Sequence, residues 1–254
     1  MSESALYVER GGNGEPTLLL LHGMGGSAAV WAGVIDLLDE HWPGSWIAPD
    51  LPGHGRSPAF AEYSYESFAA AIAEAIGPDR AVAVLGHSLG GAIGLALAAG
   101  DYGVPVTGFV GVGIKVRWSE QELAGAKELG KRIVPGASRQ EAAERAVKVA
   151  GLAGLWTPDH PGVDSLLDRL RDSWRPIFDL KALAVGAPDM TGGLATLAAR
   201  GIPATLAAGE RDPLSPADHL QALVPRPVIL PGLGHSAHVE DPAALLPLIA
   251  GLRG

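Results

Sequence analysis

Apolar residues along this chain come in short uninterrupted blocks that end in glycine-rich turns. Five such blocks are residues 17–21 (TLLLL), 81–85 (AVAVL), 106–112 (VTGFVGV), 204–208 (ATLAA) and 228–230 (VIL). Runs of this length predict strands buried on both faces of a parallel sheet. Further strands are expected at residues 6–9 and 46–51. Between the strands the apolar spacing lengthens to three and four. Val30, Val34, Leu37 and Leu38 share one face of a helix expected over 28–41, and Phe68, Ile72 and Ile76 one face over 65–76. Helices are also predicted at 92–99, 194–200, 217–224 and 242–252. Strands alternating with helices imply an α/β fold, a mostly parallel central sheet with helices on both faces.

The alternation stops between about residues 115 and 188. No convincing strand is visible there, and charged amphipathic patterns replace the leucine runs. Helices are predicted at 119–133 and 138–150. Each opens on a serine followed three residues later by Glu122 or Glu141, the reciprocal capping pattern of a helix start. A third helix is expected at 165–174.

Composition narrows the class. A chain of 254 residues, 47% hydrophobic and 19% charged, suits one soluble α/β domain with an insertion. The net charge of −9 argues against a nucleic-acid partner and against an anionic membrane surface. Cysteine is absent, which excludes disulfides and a thiolate nucleophile. The opening residues show no secretory signal, and no apolar run is long enough to span a bilayer. The expectation is a cytoplasmic protein, monomer or homodimer, that does not insert into membranes.

Candidate chemistry centres on residues 86–90, Gly-His-Ser-Leu-Gly, between a predicted strand and a predicted helix. Strand, G-x-S-x-G, helix is the setting of a nucleophile elbow. Ser88 must sit on a tight turn with its hydroxyl pushed into a cleft, and glycine on both sides avoids collisions with neighbouring backbone. The helix that follows points its first amides at the place where an anion would form. Asp212 lies in GERDP at 209–213 and His235 in GLGHS at 232–236, each just past a predicted strand. Ser88, Asp212 and His235 thus fall at the sheet edge where open parallel sheets place ligand sites. Imidazole can take and return a proton near neutrality, so His235 is the expected base and Asp212 the acid that orients it. His238 competes with His235, and Glu210 is the nearest rival to Asp212. No Asp or Glu occurs from residue 107 to 119, so an acid placed after the preceding strand would have to wait until Glu120.

HGMGGS at 22–27, DLPGHGRS at 50–57, GHSLGG at 86–91, GERDP at 209–213 and GLGHSAHVEDP at 232–242 occur in this order, each after a strand-like run. With them the chain resembles the α/β-hydrolase superfamily over nearly its whole length. The resemblance implies a core of residues 1–114 and 190–254, with residues 115–189 inserted as a helical cap after the sixth strand. It implies an oxyanion hole made by the amides of Leu89 and Met24, with His22 and the 50–57 loop bracing it. Within the cap, Trp118, Trp156, Trp174 and Phe178 are candidates for an apolar substrate pocket, with His238 as a further lining candidate; helix packing is the competing role for the aromatics. The function implied is a serine hydrolase acting on a carboxylic ester, lactone or thioester through an acyl-enzyme, with neither cofactor nor metal. Carbon–carbon bond hydrolysis and cofactor-free perhydrolysis use the same triad and stay open. So does a slow-turnover ligand receptor built on the same fold.

Overall fold

The computed structural model describes residues 5–78 and 80–253; residues 1–4, read above for a secretory signal, fall outside it. Seven strands form one sheet in the order β1-β3-β2-β4-β5-β8-β9. They are β1 (Val8–Gly11), β2 (Thr17–Leu21), β3 (Trp46–Pro49), β4 (Val82–His87), β5 (Val106–Val112), β8 (Ala204–Gly209) and β9 (Val228–Leu230). Within this sheet, among the described residues, only the β1–β3 pairing is antiparallel. The central strands β2 and β4 are buried at every position, which is why their sequences are apolar throughout instead of alternating.

Successive side chains of a strand point to opposite faces, so each central strand feeds two cores. Leu18, Leu20, Ala83 and Leu85 pack with Val34 and Leu38 of α1 (Ala32–His41) and with Leu248 and Ile249 of α9 (Leu246–Ala250). Leu19, Leu21, Val82 and Val84 pack on the other face. Their neighbours there are α2 (Tyr65–Ile76), α3 (Leu89–Ala99) and Leu197 of α6 (Met190–Ala199). The expected sheet with helices on both faces is what forms.

Local starts and stops differ from the sequence reading for identifiable reasons. The helix expected at 28–41 opens as a 3-10 turn, Ala28–Trp31, before α1. The helix expected at 242–252 splits into a 3-10 turn, Pro242–Leu245, and α9, because Pro247 has no N–H to donate and fits only a first helical turn. The helix at 217–224 shortens to α7 (Ala217–Gln221).

Counted along the described residues, the insertion follows the fifth strand, β5, where the resemblance implied a sixth, because a single strand, β1, precedes β2. Both helices expected in this segment form, α4 (Glu120–Gly130) and α5 (Arg139–Val149), and each carries its serine–glutamate capping box. The third does not. Residues 161–166 make a 3-10 turn, and β6 (Leu167–Arg169) then pairs antiparallel with β7 (Trp174–Pro176). Trp174 also exchanges two 2.8 Å backbone hydrogen bonds with Ala137, a long-range pairing that no local periodicity reports. Strand structure therefore exists in a stretch expected to have none. Ala142, Ala146 and Val147 of α5 join Trp31 and Leu152 in one apolar cluster with the sheet, so the insertion is packed onto the core.

Candidate active site

Ser88 joins β4 to α3 with φ +50° and ψ −115°. Among the described residues no other non-glycine residue has a positive φ. Such a conformation costs on the order of 1–3 kcal/mol and persists only where the surroundings enforce it. Here the Ser88 amide donates to the Val112 carbonyl of β5 at 2.8 Å, and the Ser88 carbonyl accepts from Gly91 at 3.0 Å. A Cβ on Gly86 would lie 2.5 Å from the Gly90 carbonyl, and one on Gly90 would lie 2.3 Å from that of Leu21. Both flanking glycines are therefore required by space. The Ser88 side chain caps none of the amides of its own helix.

Met24 and Leu89 border the same cavity as Ser88. Neither backbone amide is engaged by a carbonyl among the described residues. His22 is wholly buried beneath the Met24 loop. Its Nε2 accepts from the Leu51 amide at 2.9 Å and its Nδ1 donates to the Gly23 carbonyl at 2.8 Å. Asp50, also buried, accepts from the amides of Ala28 at 2.7 Å and Arg56 at 2.8 Å. Burial lowers the pKa of His22 to about 4 and that of His54 to about 3, so both rings are neutral braces. Among the described residues no group of His, Asp and Glu is arranged to hold a metal ion.

Asp212 follows β8 and His235 follows β9, and their side chains meet with Nδ1 2.9 Å from Oδ2. The pair lies against the strand that anchors Ser88. A Cβ on Gly113, the residue after Val112, would sit 3.2 Å from Asp212 Oδ2 and 3.3 Å from His235 Nδ1. The ring of His87, beside Ser88 in the chain, has its centroid 4.8 Å from that of His235. Among the described residues no hydrogen bond joins Ser88 Oγ to His235, a contact that in ligand-free sites often closes only with substrate bound. Glu210 is exposed and turned aside, accepting from the Gly232 amide at 2.8 Å. Glu120 is exposed at the start of α4.

Ser88 opens into a cavity of about 420 Å³. Its core side includes Met24, Leu89 and Ile114, and α4 closes over it with Gly125 and Leu129. Of the expected pocket residues only Trp118 lines it. Trp156 instead stacks on His160 at 4.1 Å within the core-facing cluster, and Trp174 belongs to the β6–β7 hairpin. Phe178 packs against His54 at 4.8 Å. His238 is buried between Trp31 and His87, at 4.7 and 4.2 Å, away from the cavity. Residues that the sequence reading missed include Tyr65, Leu129 and Leu183. No sequence signal singles these out: Leu129, left 43% exposed, is one of two leucines on α4.

Lys115 also borders the cavity. It pairs with Glu122 and lies 4.5 Å over the Trp118 ring. Among the described residues no helix is long and apolar enough to cross a membrane.

The model of the alpha/beta hydrolase family matches residues 18–248. A pimeloyl-[acyl-carrier protein] methyl ester esterase of Methylococcus capsulatus is 38% identical over 93 residues, 37% of this chain and 35% of that protein. Lipase LipV of Mycobacterium tuberculosis is 39% identical over 98 residues, 37% of this chain and 36% of that protein. The matched stretch thus spans about a third of these relatives' length. Among solved structures, a thioesterase domain from the curacin biosynthetic pathway superposes with a TM-score of 0.76 at 22% identity, covering 97% of this chain and 99% of that one.

Proposed function

The chain belongs to the alpha/beta hydrolase family, and from that premise we propose that it is a serine hydrolase cleaving a carboxylic ester, lactone or thioester. The observation that carries this reading is the Asp212–His235 pair, closed at 2.9 Å beside a serine held at φ +50°. Ser88 Oγ attacks the carbonyl carbon while His235 Nε2 takes its proton. The carbonyl oxygen, now an anion, is held by the amides of Leu89 and Met24, each worth about 10²–10³ in rate. The tetrahedral adduct collapses, and the alcohol or thiol leaves with the proton from His235. Water then attacks the acyl-serine, its proton passing through His235 back to Ser88 Oγ.

Residues 115–189 act in this scheme as the cap, with α4 forming the roof of the acyl or alcohol pocket. An apolar cavity with one polar corner at Lys115 and Glu122 suits a substrate whose bulk is hydrocarbon.

The test combines fluorophosphonate labelling with steady-state turnover of p-nitrophenyl esters graded in acyl length. Labelling at Ser88 with repeated turnover is expected. A single equivalent of product followed by a stall would favour the slow-turnover receptor reading. Absence of both labelling and turnover would overturn the hydrolase reading.

A further inference from the structure

His87 precedes Ser88, and its ring has no part in the chemistry proposed above. It is 3% exposed, and it touches three parts of the site at once. Nε2 lies 2.9 Å from the backbone carbonyl of His235. A carbonyl can only accept, so the ring carries its proton on Nε2 and donates it there. The other nitrogen faces the oxyanion loop: a Cβ on Gly23 would come within 2.8 Å of Nδ1. The ring also packs on those of His235 and His238, with centroids 4.8 and 4.2 Å away.

We propose that His87 is a positioning residue that fixes the base to the nucleophile elbow. The inference rests on the hydrolase reading of Ser88 and His235. His235 sits on a loop after a three-residue edge strand, and loops hold position less well than strands. Ser236 ties that loop to Gly151 on its outer side at 3.0 Å. His87, anchored at the end of fully buried β4, ties it on the inner side. A single ring adjacent to Ser88 therefore sets the distance between nucleophile and base, and it also packs on the residue before Met24.

The neutral state of His87 matters as much as its donor. Burial holds its pKa well below the ordinary imidazole value, helped by His238 and His235. A cation there would oppose the imidazolium that forms on His235 during acylation. A neutral Nε2–H donor gives the positioning bond without that repulsion.

Two variants separate positioning from simple packing. His87→Phe keeps a ring but removes the donor; His87→Gln retains an N–H near the place of Nε2. For His87→Phe, kcat and the rate of fluorophosphonate labelling should fall about tenfold to hundredfold with KM unchanged, since small misplacements of a base cost that much. His87→Gln, which keeps the donor, should return to within about fivefold of wild type, less than the loss of one ordinary hydrogen bond would cost at its upper range. Hydrogen exchange of residues 232–240 should quicken in His87→Phe and not in His87→Gln, a readout independent of turnover. Wild-type kcat in His87→Phe, or equal losses in two folded variants with unchanged exchange, would overturn the proposal. A wild-type protein that neither labels nor turns over sinks the hydrolase reading instead, and exchange alone then decides whether His87 holds the loop.

Discussion

The carboxylate of Asp212 is shared between a side chain and the backbone: Oδ2 accepts from His235 Nδ1 at 2.9 Å, and Oδ1 accepts from the Leu214 amide at 2.8 Å. Its side chain is fully buried. A carboxylate only accepts, so this contact places the ring proton on Nδ1 and leaves the Nε2 lone pair for Ser88.

Asp212→Asn keeps the shape but can hold the opposite tautomer. A fall in kcat of up to about 10⁴-fold is expected, with KM little changed. Glu210→Gln and Glu120→Gln should stay near wild type, since Glu210 is turned to Gly232 and Glu120 is exposed on α4. Measuring kcat for all three on one activated ester decides the matter. A crippled Glu120→Gln beside an active Asp212→Asn would move the acid to the cap.

Ser88 combines the strained backbone with the reacting hydroxyl, so its variants should separate stability from activity. Ser88→Ala and Ser88→Gly should each lose about 10⁴–10⁶ in turnover. Ser88→Gly should melt above Ser88→Ala, because glycine adopts φ +50° without the cost of a Cβ. Thermal melts of the two variants check this. A higher melting temperature for the alanine would mean that the elbow stores no strain.

His235→Ala should remove nearly all activity. His238 behaves differently from a pocket residue: both ring nitrogens are buried without hydrogen-bond partners. His238→Phe keeps the packing on Trp31 and His87 and removes two desolvated polar atoms. A gain on the order of 1 kcal/mol is expected, with kcat and KM close to wild type. An increase in KM alone would place His238 in the substrate pocket after all.

The buried histidines make stability depend on pH. His22 titrates at about 4, and His54 and His238 at about 3, each lowered by burial. Unfolded, they bind protons near 6.5, so below that pH the unfolded chain holds more protons than the native one. Stability is therefore full above about pH 6.5 and is lost as pH falls toward 3–4, by up to about 1.4 kcal/mol per pH unit per ring. Melting temperatures between pH 8 and pH 4 should fall most steeply below pH 6. The slope should be shallower in His238→Phe. A flat profile would mean that these rings are not held neutral by burial.

Gly125 sits inside exposed α4 with nothing within 4 Å of where a Cβ would stand. Gly125→Ala should stabilise the protein by about 0.5–1 kcal/mol through helix propensity, read as a rise in melting temperature. Because Gly125 also borders the cavity, Gly125→Phe should shorten the longest acyl chain accepted. Identical acyl-length profiles for wild type and Gly125→Phe would remove α4 from the pocket.

The sheet and its helices were legible because their signals are local. Leu18 to Leu21 are buried on both faces, and such a strand must be apolar at every position. Ser119 and Ser138 announce their helices because the capping partner is three residues away in the chain. The segment 165–174 reads as a helix, yet Leu167–Arg169 pairs with Trp174–Pro176 and Trp174 also with the distant Ala137, through amide and carbonyl groups that every residue carries. Trp156 and Trp174 read as pocket candidates because an aromatic side chain suits a core and a binding wall equally well.

Short-range demands of the chemistry are written into the chain: glycines where a Cβ would strike backbone at 2.3–2.5 Å, a serine between them, and an acid and a base each shortly past a strand. Those requirements act over a few residues, so they leave motifs. Folding alone brings His235 onto Asp212, sets His87 against the carbonyl of His235 across 148 positions, and leaves Trp118, unlike Trp156 and Trp174, at the cavity. Those relations depend on how the loops and the inserted segment fold back over the sheet edge. Contacts between side chains far apart in sequence leave no periodicity to read.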